Sequence, residues 1–219
     1  MTTRIALIHA VSVAMRPVED AFAREWPEAE RVNLLDDSLS IDRAKSVELT
    51  PALFDRIGNL AALAHDAGAD AILFTCSAFG AAIEAVAAQA SIPVLTPNEA
   101  MFEAALAHGK TIGMVATFAP SVASMEDEFR EAASKAVSTA TIKSVCVPEA
   151  MAALKLGDAA THNALVAEAA NQLVHCDAIM LAQFSTAQAA KAVAIAVNRT
   201  VLTSPGAAVS KLKRRLGAA

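Results

Sequence analysis

Apolar positions along the chain follow two rhythms. Short apolar runs at 4–9, 31–35, 71–74, 92–95, 111–116, 141–147, 177–184 and 200–202 read as strands of a buried, parallel sheet. Between them, apolar residues recur at helical spacing over 16–26, 51–68, 80–90, 98–108, 120–138, 148–156, 158–175 and 185–197, with a last helix after Pro205. Residues 39–48 read as a loop or a short helix. The punctuation agrees with this division. Thr50-Pro51 is an N-cap followed by proline at N1, Gly109 is a C-cap signal, and Ser185-Thr186 is expected to cap the helix that follows. Regular strand–helix alternation predicts an α/β fold with parallel sheets and right-handed crossovers.

The scheme starts again at Thr111. Residues 68–77 match 176–185 in pattern, residues 92–97 match 199–205, and residues 111–117 play the part of 4–12. The expected architecture is therefore a pseudo-duplicated chain of two similar flavodoxin-like lobes with parallel sheets. The N-terminal lobe is placed at 1–97 plus 206–219 and the C-terminal lobe at 98–205. Pockets favour such boundaries, so an active-site cleft is expected between the lobes.

Composition narrows the function classes. The chain has 219 residues, 55% of them hydrophobic, with no tyrosine and a net charge of −5, which offers no electrostatic footprint for nucleic acid. The one basic cluster, Lys211 to Arg215, reads as the solvated end of the last helix. No apolar run approaches the roughly 20 residues of a membrane span, and the N-terminus enters a strand pattern without a signal-peptide core. Three widely spaced cysteines suggest neither a disulfide framework nor a zinc site, which fits a reduced, cytoplasmic protein. No glycine-rich nucleotide fingerprint, phosphate loop or metal motif is present, so no cofactor is expected. A homo-oligomer stays open.

Candidate chemistry gathers where strands end. Thr75-Cys76-Ser77 interrupts the third apolar run and precedes a helical segment, which delivers a thiol to the carboxyl end of a strand beside a helix start. Ligands sit there in open α/β sheets, small anions bind there, and cysteine pKa values tend to fall there. A small buried core residue is the plain alternative. The other strand ends supply Ser12, Thr96, Asn98, Thr117, Ser185 and Thr186. Each alone reads as a cap or turn residue, but their recurrence in both halves suits a carboxylate held by hydroxyls and backbone N–H groups. His9 ends the first strand and is either structural or an acid/base or carboxylate donor. Cys146 reads as core.

Phe74-Thr75-Cys76-Ser77, Thr96-Pro97-Asn98-Glu99-Ala100 and the duplicated layout resemble the aspartate/glutamate/hydantoin racemase superfamily, which includes amino-acid racemases, maleate isomerases and arylmalonate decarboxylases. The resemblance implies an enzyme without pyridoxal phosphate or metal. In the racemases two cysteines on opposite lobes face the substrate α-carbon, and the first of them falls on Cys76. At the second, this sequence departs from the pattern: Ala182-Gln183-Phe184 puts Gln183 where the second thiol belongs, and Cys176 lies at the other end of that strand. The expectation is a racemase- or isomerase-like enzyme acting on a small carboxylic acid through one thiolate of lowered pKa. Cys76, Gln183 and His9 would be its catalytic set, Gln183 as a neutral hydrogen-bond donor. Thr75, Ser77, Thr117, Ser185 and Thr186, with Ser12, Thr96 and Asn98, would hold the substrate. The alternatives are a single-cysteine decarboxylase or other carbon-acid lyase, and a non-catalytic small-acid binder.

Overall fold

A computed structural model describes residues 2–46 and 48–218; Met1, Val47 and Ala219 lie outside the described residues. The chain forms two compact units, Met1–Pro97 with Ala208–Ala219, and Asn98–Ala207.

The first unit runs β1 (Arg4–His9), α1 (Met15–Glu25), β2 (Glu30–Leu35), α2 (Ser38–Arg43), α3 (Pro51–Asp66), β3 (Ala71–Phe74), α4 (Gly80–Ala87) and β4 (Val94–Leu95). All pairings are parallel, in the order β2-β1-β3-β4. The segment expected around 39–48 is helical at its start, as α2, and Val47 within it is outside the described residues. Thr50 caps α3 as anticipated, its hydroxyl accepting from Leu53 N, and Gly68 ends that turn at φ 77°, a left-handed value only glycine adopts freely. Alternation along the strands separates two faces. Ala6, Ile8 and Ala10 join Ile72 and Phe74 in a core with Leu53, Ile57 and Ile83 of α3 and α4.

The second unit runs α5 (Glu99–His108), β5 (Thr111–Ala116), α6 (Val122–Lys135), β6 (Thr141–Cys146), α7 (Pro148–Lys155), α8 (Ala159–Ala170), β7 (Ala178–Leu181), α9 (Ala190–Val197) and β8 (Thr200–Thr203). The last helix, α10 (Ser204–Arg215), starts here. Its sheet, β6-β5-β7-β8, is again all parallel. The two orders are the same once β5 is read for β1 and β7 for β3, which is the duplication seen in the sequence.

Three local expectations change. Gly109 is not a left-handed cap but fully extended, at φ 170°. A Cβ there would lie 2.4 Å from the Asp177 side chain, whose Oδ2 accepts from Lys110 N at 2.8 Å and Thr111 N at 2.9 Å. Glycine is needed for close approach, not for backbone handedness. Ser185 and Thr186 do not cap α9. They lie inside a 3-10 segment, Phe184–Ala189, and the Thr186 hydroxyl turns back to donate to Gln183 O at 2.5 Å. Cys146 is exposed at the end of the sheet-edge strand β6, because β6 has a neighbour on one side only.

Among the described residues no helix is long and apolar enough to cross a membrane.

Candidate active site

The thiol of Cys76 sits two residues past β3. Buried apolar side chains carry that strand to Phe74; Thr75 follows, and Cys76 takes the N-cap position of a 3-10 turn, Ser77–Phe79, ahead of α4. Thr75 and Ser77 are buried, whereas Cys76 is half-buried. The expectation of a lowered pKa is corrected here. Burial pushes the thiol above its ordinary value, while the Ala78 backbone N–H and the Arg43 guanidinium pull it back only in part.

Arg43, at the end of α2, was not singled out in the sequence. Its Nε donates to Ala78 O at 3.1 Å and its Nη1 to Ser46 O at 2.5 Å; among the described residues Nη2 has no acceptor. α2 is held in place by Arg56 of α3, which donates to Asp36 Oδ2 at 2.5 Å, Ser38 Oγ at 2.5 Å and Asp42 Oδ2 at 2.7 Å. Spacing could not reveal this arrangement, since more than thirty residues separate Arg43 from Ala78 and only the folded crossover brings them together.

His9 is fully buried at the end of β1, with Nδ1 at 2.9 Å from Thr75 Oγ1 and Nε2 at 2.8 Å from Asn33 Oδ1. Both ring nitrogens are thus occupied within the unit. Burial pulls the imidazole below 6.5, opposed by the Asn33 hydrogen bond and the Glu19 charge. Ser12, itself exposed, opens a 3-10 turn, Ser12–Ala14, after β1, and Thr96 follows β4.

In the second unit, Gln183 takes the position that Cys76 has in the first. Leu181 pairs with Val115 as Phe74 pairs with Ile8, and two residues later Gln183 is the N-cap of a 3-10 segment, as Cys76 is. Its amide is fully used inside the unit. Oε1 accepts from Thr117 N at 2.9 Å and Thr117 Oγ1 at 3.2 Å, and Nε2 donates to Ser121 Oγ at 2.9 Å. Ser185 and Thr186 are buried beside it. Asn98, buried ahead of α5, donates from Nδ2 to Glu128 Oε2 at 3.0 Å. The predicted residues therefore divide between the units: His9, Ser12, Thr75, Cys76, Ser77 and Thr96 in the first, with His9 bonded to Thr75, and Asn98, Thr117, Gln183, Ser185 and Thr186 in the second, with Gln183 bonded to Thr117.

A cavity of about 770 Å³ opens elsewhere in the first unit, between α3 and α4, over Gly58, Ala61, Ile72, Ala82 and Val86. Cys76 does not line it. Among the described residues no three His, Cys, Asp or Glu side chains are grouped to hold a metal ion.

Comparison with known proteins bears on this arrangement. No curated protein sequence matches the chain. Among solved structures, glutamate racemase isoform RacE1 from Bacillus anthracis superposes with a TM-score of 0.76 at 16% identity, over 99% of this chain and 83% of that one. Aspartate racemase from Picrophilus torridus gives 0.75 at 14% identity, over 98% and 94%. Allantoin racemase from Pseudomonas fluorescens gives 0.72 at 18%, over 98% and 92%. At these identities the likeness establishes the fold: two four-stranded parallel sheets with flanking helices. The Asp/Glu/Hydantoin racemase profile matches residues 14–217, nearly the whole sequence. The chain belongs to the Asp/Glu/hydantoin racemase family.

Proposed function

We propose that this protein is a racemase- or isomerase-like enzyme that acts on a small carboxylic acid through a single thiolate, that of Cys76. The observation that carries the reading is the asymmetry between equivalent positions: a thiol at the end of β3, and at the end of β7 a glutamine whose amide is consumed by Thr117 and Ser121. An amide exchanges no proton near neutral pH, so two-thiol racemisation has no second partner in Gln183. One thiolate suffices for addition to an activated double bond. The sulfur forms a bond to one alkene carbon, the electron pair moves onto the carbon next to the carboxylate, rotation follows, and expulsion of the thiolate restores the double bond. One thiolate can also remove a proton from the carbon beside a carboxylate and return it, the sulfur cycling between thiolate and thiol.

Arg43 supports both versions. It is the cation that favours the Cys76 thiolate, and a guanidinium is a good partner for a carboxylate. Ser77 supplies a hydroxyl beside the thiol in the chain, whereas that of Thr75 is taken by His9, and no cofactor is called for. A cytoplasmic location belongs to the same reading. The competing reading is a small-acid binder, favoured by the burial that holds Cys76 in its thiol form.

Proton NMR in deuterated buffer separates the readings. Small amino acids and unsaturated dicarboxylates are incubated with the protein, and both α-proton exchange and double-bond geometry are followed. Turnover should fall on the order of 10²-fold or more in Cys76→Ala, the scale of losing a positioned proton-transfer group or nucleophile. Because the thiolate is the active form and its pKa is raised, the rate should still be climbing above pH 9.0. Turnover that survives in Cys76→Ala removes the thiolate mechanism, and ligand-induced stabilisation without turnover leaves the binder.

A further inference from the structure

His9 and Cys76 serve different faces of their sheet. Ala6, Ile8 and Ala10 of β1 and its extension, with Ile72 and Phe74 of β3, point into the core under α3 and α4, and Cys76 packs against that core. Leu7, His9 and Thr75 alternate to the opposite face. By this alternation His9 faces the other way from the thiol, and what links them along the chain is the backbone from Thr75 to Cys76.

The proton on His9 can be assigned by counting donors. The Glu19 carboxylate accepts from Arg31 Nε at 3.0 Å and from Asn33 Nδ2 at 2.7 Å. A carboxylate only accepts, so the Asn33 amide must turn its NH₂ to Glu19 and its carbonyl oxygen to His9. That oxygen also only accepts, so His9 Nε2, 2.8 Å away, carries the proton. The neutral ring then presents a bare Nδ1, and the Thr75 hydroxyl at 2.9 Å donates its single proton there. Ile8 O, 3.3 Å from the same hydroxyl, is served instead by Thr75 N at 3.0 Å. Each group in the series determines the next, from a charged pair near the surface to the residue that precedes the thiol.

We infer that Arg31, Glu19 and Asn33 are positioning residues: they lock His9 as the Nε2–H tautomer, and His9 in turn clamps Thr75 and sets the backbone that carries Cys76. His9 is then no second base. The inference rests on Cys76 being the reactive group, as proposed above, and it explains why a fully buried histidine sits at a strand end with both nitrogens engaged. A network of this kind is costly to leave half-satisfied, so loss of one member is felt at the far end.

The test combines a spectroscopic arm with two reactivity arms. In the ¹⁵N-labelled wild type, NMR should show His9 with a protonated Nε2 and an unprotonated Nδ1. Glu19→Gln has the same shape but lets the Asn33 amide face either way, and should give a mixture of tautomers. Asn33→Leu and Thr75→Val should slow both iodoacetamide labelling of Cys76 and Cys76-dependent exchange, about tenfold for a modest misplacement of the reacting group. Thr75→Ser, which keeps the hydroxyl, should restore both. An Nδ1–H tautomer in the wild type overturns the inference. So do Asn33→Leu and Thr75→Val proteins that fold and react at the wild-type rate. The tautomer and labelling arms need no substrate. If Cys76→Ala retains exchange, the proposed thiolate mechanism fails while these arms still decide the role of the network.

Discussion

Gln183 carries the sharpest consequence of a single residue choice. Its amide satisfies the Thr117 backbone N–H, the Thr117 hydroxyl and the Ser121 hydroxyl, all in buried surroundings. Gln183→Cys would rebuild the family's pair of thiols in sequence and would also strip Thr117 N of its acceptor. An orphaned buried donor costs about 1–3 kcal/mol, so the variant should unfold at lower urea concentration than wild type. If stability is unchanged, the amide is not the acceptor that the geometry describes. The same reasoning shows why sequence alone stopped short here. The missing cysteine was legible from the alignment of the two halves. That the glutamine faces inward to Thr117 and Ser121 required the positions of β5 and α6.

At the scale of elements, two glycines separate what looks alike in sequence. Gly109 ends α5 and Gly58 lies inside α3. A Cβ at Gly109 would collide with the Asp177 side chain, which is pinned by two backbone N–H groups, whereas a Cβ at Gly58 meets nothing within 4 Å. Gly109→Ala should cost about 1–3 kcal/mol, the range of an overpacked site. Gly58→Ala should gain about 0.5–1 kcal/mol, the helix-interior penalty of glycine removed. Urea titration of the two variants side by side checks both signs, and equal shifts would sink the argument. The elements themselves were plain in the sequence because buried parallel strands and amphipathic helices write different periods. The 3-10 segment over Phe184–Ala189 was not, since a helix that starts late has the same side-chain chemistry as one that is capped.

For the whole molecule, buried histidines predict how stability follows pH. His9 in the first unit and His162 in the second are fully buried, and burial pulls both below 6.5. Below that value the unfolded chain takes up protons that the folded chain refuses, so folding loses free energy as pH falls from 6.5 toward the folded pKa values. Thermal melts should therefore drop between about pH 7.5 and about pH 5.5, and His9→Gln or His162→Gln should flatten the slope. Asp36, Asp42, Asp158 and Asp177 act in a lower window. Their folded values lie under 3.8, so their contribution is intact above 3.8 and is lost as pH falls through the folded values. A melt that is level across the histidine window would contradict the burial-driven shift.

Sequence by itself determined the α/β class, the parallel sheets, the duplication and the address of the thiol. These follow from periodicity, from turn chemistry and from the rule that ligands collect at strand ends. Only the tertiary structure decided the environment of each candidate. The chain neighbours of Cys76 suggested a low pKa, but burial raises it, and Arg43, a cation that opposes the rise, comes from a different crossover. His9, in sequence either structural or an acid/base, has both ring nitrogens hydrogen-bonded in the fold, because Asn33 of β2 and Thr75 past β3 reach it and Glu19 of α1 in turn holds Asn33. Secondary structure is set by neighbours a few residues apart, whereas proton positions and charge depend on groups that only the sheet and its covering helices bring within hydrogen-bond distance.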